Sequence, residues 1–149
     1  MSRQKRKLLL IACSNRKLRT KGLLPALERY DGVTYRIIRK AMREGYFPPN
    51  VDIKILSAEF GLIDASKPIP YYDRRMDRKR ADELYSQVSR RLKDLLRRKQ
   101  YAEIYINMGK VYLLATGKLN ETNPKTAVEY AQGGIGEKAQ AMKEWIYGD

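Results

Sequence analysis

Residues 7–17 read KLLLIACSNRK. A basic start gives way to six apolar residues, 8–13, with no polar interruption. A half-exposed strand alternates; a short unbroken apolar run fits a strand buried on both faces, as in parallel sheets. The run then stops abruptly at Ser14, Asn15, Arg16 and Lys17. A strand over residues 7–14 therefore delivers a hydroxyl, an amide and two cations to its carboxyl end.

Working outward, residues 15–32 read as loop, with Gly22, Pro25 and Gly32. Residues 33–46 predict a helix, with Ile37, Ile38, Ala41 and Met42 on one face. Pro48 and Pro49 stop it. Residues 51–58, VDIKILSA, predict a second strand. The longest helix spans 77–100. Ala81, Leu84, Val88, Leu92 and Leu95 recur there at helical spacing, behind Asp77 as N-cap. Residues 102–108 predict a third strand, 110–116 a short helix and 126–130 a fourth strand. Gly133-Gly134-Ile135-Gly136 then leads into a helix over 137–147.

Strands alternating with helices predict an α/β fold, a mainly parallel sheet flanked by helices, in one domain over residues 1–149. Residues 1–6 are expected to form a disordered basic head. Ligands of such sheets bind beyond the carboxyl ends of the strands. Four polar or glycine-rich exits would open on that edge: Cys13–Lys17, Ser57–Gly61, Asn107–Gly109 and Gly133–Gly136. The segment through Met76, LSAEFGLIDASKPIPYYDRRM from residue 56, is expected to wall or cover it.

The chain has 149 residues, enough for one full core. Its net charge of +14 is unevenly placed. Residues 1–22 hold eight Lys/Arg and no acid; residues 74–99 hold eleven basic and four acidic side chains. Segregated charge favours a polyanion, nucleic acid or nucleotide first, over mere solubility. No apolar run approaches a membrane span. The apolar run at 8–13 is short and is followed at once by basic residues, so it reads as strand rather than signal peptide. A cytoplasmic protein is expected, and the single cysteine suits a reducing compartment.

The chain has no histidine. Ser-His-Asp and Cys-His catalysis are excluded, as are histidine metal sites. With one cysteine, a zinc or iron–sulfur motif is excluded within a monomer. No metal and no cofactor are expected. Ser14, Asn15 and Lys17 offer a phosphate site. Cys13 is either a thiol activated by neighbouring cations or an inert strand-end residue. The glycine turn at Gly133, Gly134 and Gly136 either admits an anion to a helix start or merely packs tightly. Tyr71 and Tyr72 offer stacking faces. Asp73 and Glu59 either serve as acid/base and base-reading groups or pair with neighbouring arginines. Tyr30, Arg36, Ser57, Gly61, Asn107 and Gly109 complete the expected base-binding set. Arg74, Arg75, Arg78, Arg90, Arg91, Arg97 and Arg98 are expected to grip a nucleic-acid backbone, or only to solvate a helix.

The CSNRK turn and the LSAEFGLIDASKPIPYYDRRM segment together resemble the YaaA-like family of peroxide-stress proteins and its small single-domain relatives. More distantly they resemble the core domain of archaeosine synthase. The matching residues are Cys13, Ser14, Lys17, Leu56, Ser57, Gly61, Leu62, Tyr72 and Met76. Tyr30 with Gly32, and Gly134 with Gly136, match weaker elements. The resemblance implies a Rossmann-like, uracil-DNA-glycosylase-like α/β fold. It further implies DNA binding and protection against oxidative damage, or modification of a deazaguanine base in tRNA. The chain differs in carrying Asp64-Ala65-Ser66 where an arginine-proline pair is usual.

The expected function is a nucleic-acid-associated protein with a nucleotide or base pocket at the strand exits. The alternative is an enzyme on a nucleobase, an N-glycosidase or base-modifying transferase. Asp73 or Glu59 would be its base, or Cys13 or Lys17 its nucleophile. A scaffold whose charges only keep it in solution is the third reading.

Overall fold

The fold is a computed structural model that describes residues 5–119 and 125–148. In chain order the elements are β1 (Lys7–Ala12), β2 (Leu24–Pro25), α1 (Ala26–Arg29), α2 (Val33–Arg43), β3 (Val51–Ser57) and β4 (Gly61–Asp64). There follow β5 (Pro68–Ile69), α3 (Arg78–Arg98), β6 (Glu103–Asn107), α4 (Lys110–Thr116), β7 (Ala127–Tyr130) and α5 (Ile135–Tyr147).

β1 is the middle strand of five, ordered β4-β3-β1-β6-β7. It pairs in parallel with β3 and with β6, and β6 pairs in parallel with β7. Its apolar run is used on both faces, because successive side chains of a strand point opposite ways. Leu8 and Leu10 pack toward α3 and α4; Leu9 and Ile11 pack toward α2 and α5. All four are at most 1% exposed. Burying each such side chain contributes about 1.5–3 kcal/mol, so β1 anchors both cores. Asp77 caps α3 as expected, its carboxylate accepting from the Arg80 N–H at 2.7 Å. Among the described residues, no helix is long and apolar enough to cross a membrane.

Three features differ from the sequence reading. First, the second strand does not open onto a loop. It turns back into antiparallel β4, with Ser57 opposite Gly61. Gly61 sits at φ +76, and the Ser57 Oγ accepts from the Glu59 and Phe60 N–H groups, which closes the turn. Second, the segment after β4 is strapped to the body. Leu27 donates to the Ala65 carbonyl, Ala26 to that of Lys67, and β5 pairs with β2. It is therefore fastened beside α1, and only its last residues border the sheet edge. Third, the basic head is partly tied down. Arg6 pairs with Asp52, and the Lys5 carbonyl accepts from Asn50 at 2.7 Å; residues 1–4 lie outside the described residues.

The edge strand β4 is closed by side chains of α3. Gln87 accepts from the Leu62 N–H and donates to the Phe60 carbonyl, and Arg91 donates to the Leu62 carbonyl at 2.8 Å. The outward-facing N–H and carbonyl of Leu62 are thus occupied, which hinders pairing with another strand there.

Candidate functional site

β1 leads, through β2 and α1, to α2, which packs on one face; β6 is followed by α4, which packs on the other. The two exit loops must diverge, and a crevice opens between them at the carboxyl edge. This is where open α/β sheets place ligands. The crevice encloses about 410 Å³. Its walls are the β1 exit (Ala12 to Arg16), the start of α2 (Gly32 to Tyr35), the β6 exit (Asn107 to Gly109), and Tyr112, Ile135 and Lys138.

Local chemistry shapes each wall. The Ser14 hydroxyl donates to the Arg16 carbonyl at 2.6 Å and accepts from the Gly32 N–H at 3.2 Å, so it binds the β1 exit to the start of α2. A Cβ on Gly32 would lie 2.8 Å from that of Ser14; the close approach requires glycine. No side chain caps α2. Asp31 accepts from Arg36 and Arg39 and pairs with Arg16, and the Arg36 guanidinium above all holds its carboxyl below the usual range. Lys138 reaches across to the Met108 carbonyl at 3.3 Å.

The Cys13 Sγ lies 3.2 Å from the Tyr112 hydroxyl and accepts from the Ala58 N–H at 3.4 Å. Burial pushes the Tyr112 phenol well above its ordinary range, so it keeps its proton at neutral pH. A second cavity of about 270 Å³ shares Cys13, Ser14, Asn15 and Tyr112 with the first, and adds Arg74, Arg75 and Met76. The two cavities adjoin at those four residues, and we call the pair the groove; Asn107 lines only the first and the two arginines only the second.

The sequence matches, over residues 8–144, a family described as a family of unknown function, DUF6884. The chain belongs to this family. Comparison with curated proteins gives no match. A solved structure, that of AF0587, a protein of unknown function, is similar in fold, with a TM-score of 0.58 at 17% identity. The match covers 96% of this DUF6884 chain and 45% of that one. The chain thus spans under half the length of the structure it resembles, and the likeness concerns the fold alone.

Of the residues singled out in the sequence, this DUF6884 chain gathers Cys13, Ser14, Asn15, Asn107 and Gly109 in the crevice, with Arg74 and Arg75 in the adjoining cavity. Others lie elsewhere. Tyr72 is 9% exposed and packs edge-on against Phe60 and Tyr30, with the Lys17 ammonium 4.6 Å from its ring centre. It is a core residue, not the stacking face expected. Tyr30 and Ser57 are fully buried beneath it, and Gly61 lies under Gln87. Lys17 covers these rings rather than lining the crevice, and burial lowers its ammonium below the usual range. Tyr71 is exposed, with the Arg19 guanidinium 5.3 Å from its ring centre.

The remaining acids and cations are spread out. Glu59 pairs with Arg74 at 3.0 Å. Asp73 is exposed, and neither acid lines the groove. Arg36 is turned to Asp31. Arg97 and Arg98 share Asp94, Arg91 holds β4, and Arg78 and Arg90 are exposed. The glycine turn is occupied by its own helix: Glu137 accepts from the Gly134 N–H at 3.2 Å, and a Cβ on Gly133 would strike that carboxylate. Gly136 has no such close neighbour.

Val33, Thr34, Met108, Tyr112, Ile135 and Lys138 were not singled out. Each stands in or just before the first turn of a helix that follows a strand exit. Reading those turns along with the exits would have found them. Among the described residues, no cluster of carboxylates and cysteine is arranged to hold a metal ion.

Proposed function

We propose that the protein binds a nucleotide unit, free or within a nucleic-acid strand, in the groove between the β1 and β6 exits. One observation carries this reading: the groove is chemically two-ended. Its inner end has an amide, Asn107, with apolar Val33, Met108 and Ile135; the two cations on the same walls are engaged, Arg16 with Asp31 and Lys138 with the Met108 carbonyl. Its outer end has Arg74 and Arg75, and Arg75 makes no ion pair among the described residues. A base with its phosphate has the same polarity, an uncharged ring joined to an anion. The exposed arginines of α3 lie beyond that outer end in sequence and suit a backbone continuing past the groove. We take the sheet as Rossmann-like, nearest in kind to uracil-DNA-glycosylase-like folds, and the resemblance to YaaA-like proteins supports the same ligand class.

Native mass spectrometry of gently purified protein, followed by titration with nucleotides and short oligonucleotides, tests this. A nucleotide or oligonucleotide bound at one site is expected, with affinity falling on Arg75→Ala. Absence of binding to every nucleotide and oligonucleotide overturns it.

A second reading, an enzyme acting on the bound base, is favoured by Cys13. Cys13 is one of the four residues that line both cavities. Recovery of the base and ribose unchanged after prolonged incubation with excess protein would dismiss turnover and leave binding.

A further inference from the structure

Asn107 is the last residue of β6 and is 7% exposed. A primary amide carries two N–H donors and two acceptor lone pairs, and buried amides normally use them. Here the use is poor. The Nδ2 approaches the Thr34 Oγ1 and the Met142 Sδ, both at 3.5 Å. For the oxygen partner that is well beyond the usual 2.9–3.0 Å. The Oδ1 accepts no hydrogen bond among the described residues. Yet every side-chain nitrogen or oxygen shut away from solvent has a partner among the described residues. The Oδ1 is therefore not shut away. The cavity that Asn107 lines is the crevice. An amide nine-tenths buried on a cavity wall, with an unfilled acceptor and only long contacts to its donor, is built to meet a ligand rather than the protein.

Two apolar side chains frame it. Val33 begins α2 and Ile135 begins α5; they are 46% and 80% exposed, and both line the crevice. Exposed aliphatic groups beside a buried amide suit a planar, uncharged ring. Asn pairs bidentately with the adjacent acceptor and donor of adenine, N7 and N6–H₂. We propose that Asn107 is the specificity-determining residue of the groove and selects a 6-aminopurine over guanine. This rests on the nucleotide reading above and adds which base is chosen and by what.

The logic inverts cleanly in one variant. Asn107→Asp removes the donor and leaves an acceptor-only carboxylate. That group matches guanine, whose N1–H and N2–H₂ are neighbouring donors. Asn107→Leu removes both functions at similar size.

The experiment is calorimetric titration of AMP, GMP and ribose 5-phosphate into the parent, Asn107→Leu and Asn107→Asp, with melting curves on each. The parent is expected to favour AMP over GMP by about tenfold or more, the scale of one bidentate contact. Asn107→Leu should erase that preference while leaving ribose 5-phosphate binding unchanged, and Asn107→Asp should reverse it. Equal AMP and GMP affinity in the parent overturns the inference without needing any variant to fold, and leaves the nucleotide site standing. A preference unchanged in folded Asn107→Leu and Asn107→Asp also overturns it. Failure of the parent to bind any of the three, or any oligonucleotide, overturns both the inference and the site.

Discussion

The Tyr72 hydroxyl lies 2.6 Å from the Tyr30 hydroxyl, and both meet the Ser57 Oγ, at 3.0 and 3.1 Å. Three hydroxyls form a closed buried triangle, each able to donate to the next. Its corners come from the end of α1, the end of β3 and the strap after β5. Ser57 adds the two backbone N–H groups of the β3–β4 turn. Burial pushes the Tyr30 and Tyr72 phenols far above their ordinary range. The triangle therefore keeps its protons at any physiological pH and acts as a neutral lock.

Tyr72→Phe is expected to destabilise the fold by about 1–2 kcal/mol, the cost of breaking a buried hydrogen bond. Nucleotide affinity should not change, because Tyr72 lines neither cavity of the groove. Urea unfolding and nucleotide titration on the same variant check this. A fall in affinity with parental stability would return Tyr72 to the binding site.

Arg29 is fully buried and donates to four carbonyls, those of Leu18, Thr20, Gly22 and Ile69, at 2.6–3.3 Å. It is paired with no carboxylate among the described residues; the carbonyls alone satisfy it. Arg29→Met should cost at least about 3 kcal/mol, since charge-assisted bonds are broken and buried carbonyls go unsatisfied. Limited proteolysis should then cut near residues 18–23 before any other site. A change within about 0.5 kcal/mol, as at ordinary surface positions, would remove its role as the clamp of that loop.

Asp52 joins Arg6, Lys99 and Tyr101. Partial burial pushes its carboxyl up, but the three donors outweigh that and bring it down to about 2. A depressed carboxylate stabilises the fold fully above its unfolded value near 4 and loses that contribution as pH falls through its folded value. At neutral pH the difference is worth about 2 kcal/mol. The stability gap between the parent and Asp52→Asn should therefore narrow as pH drops from about 4 to about 2. A gap that stays constant over that window would exclude the linkage.

If a nucleic-acid strand continues past the groove, Arg90→Glu with Arg97→Glu should weaken binding for all sequences alike. The salt slope should shrink by about one for each phosphate that is no longer neutralised. Arg91→Ala should behave differently, lowering stability because its guanidinium holds the Leu62 carbonyl. Salt titrations with a labelled oligonucleotide distinguish the two. Affinity that is flat from low to physiological salt would end the backbone role of α3.

Much of the architecture was legible in short windows. The apolar run at 8–13, the helical spacing from Ala81 to Leu95 and the Asp77 cap are local patterns with local causes, and each reappears within two residues of its expected bounds. So did the polar exit Cys13–Asn15, because a buried strand must shed its apolar character where it meets water. Four elements, β2, α1, β4 and β5, were missed for physical reasons; α1 is a single turn of four residues. The β4 hairpin depends on one left-handed glycine and a serine hydroxyl beneath it. The strand pairing β2 with β5 is too short to carry a period.

The sequence alone determined that strands and helices alternate, that the central strand is buried on both faces, and that positive charge gathers in two stretches. These follow from side-chain polarity read at periods of two and 3.6. Only the tertiary structure decided which polar residues face the crevice. Tyr72 and Ser57 went to the core because Tyr30, far off in sequence, meets them there. Asn107 came to line the cavity because β6 ends beside the start of α2 and against α5, where Thr34 and Met142, 73 and 35 residues away, make only long contacts to its nitrogen and none to its oxygen. Such assignments depend on which strands lie side by side, and a hydrogen-bonding partner contributed by a neighbouring strand or helix is invisible in any local window.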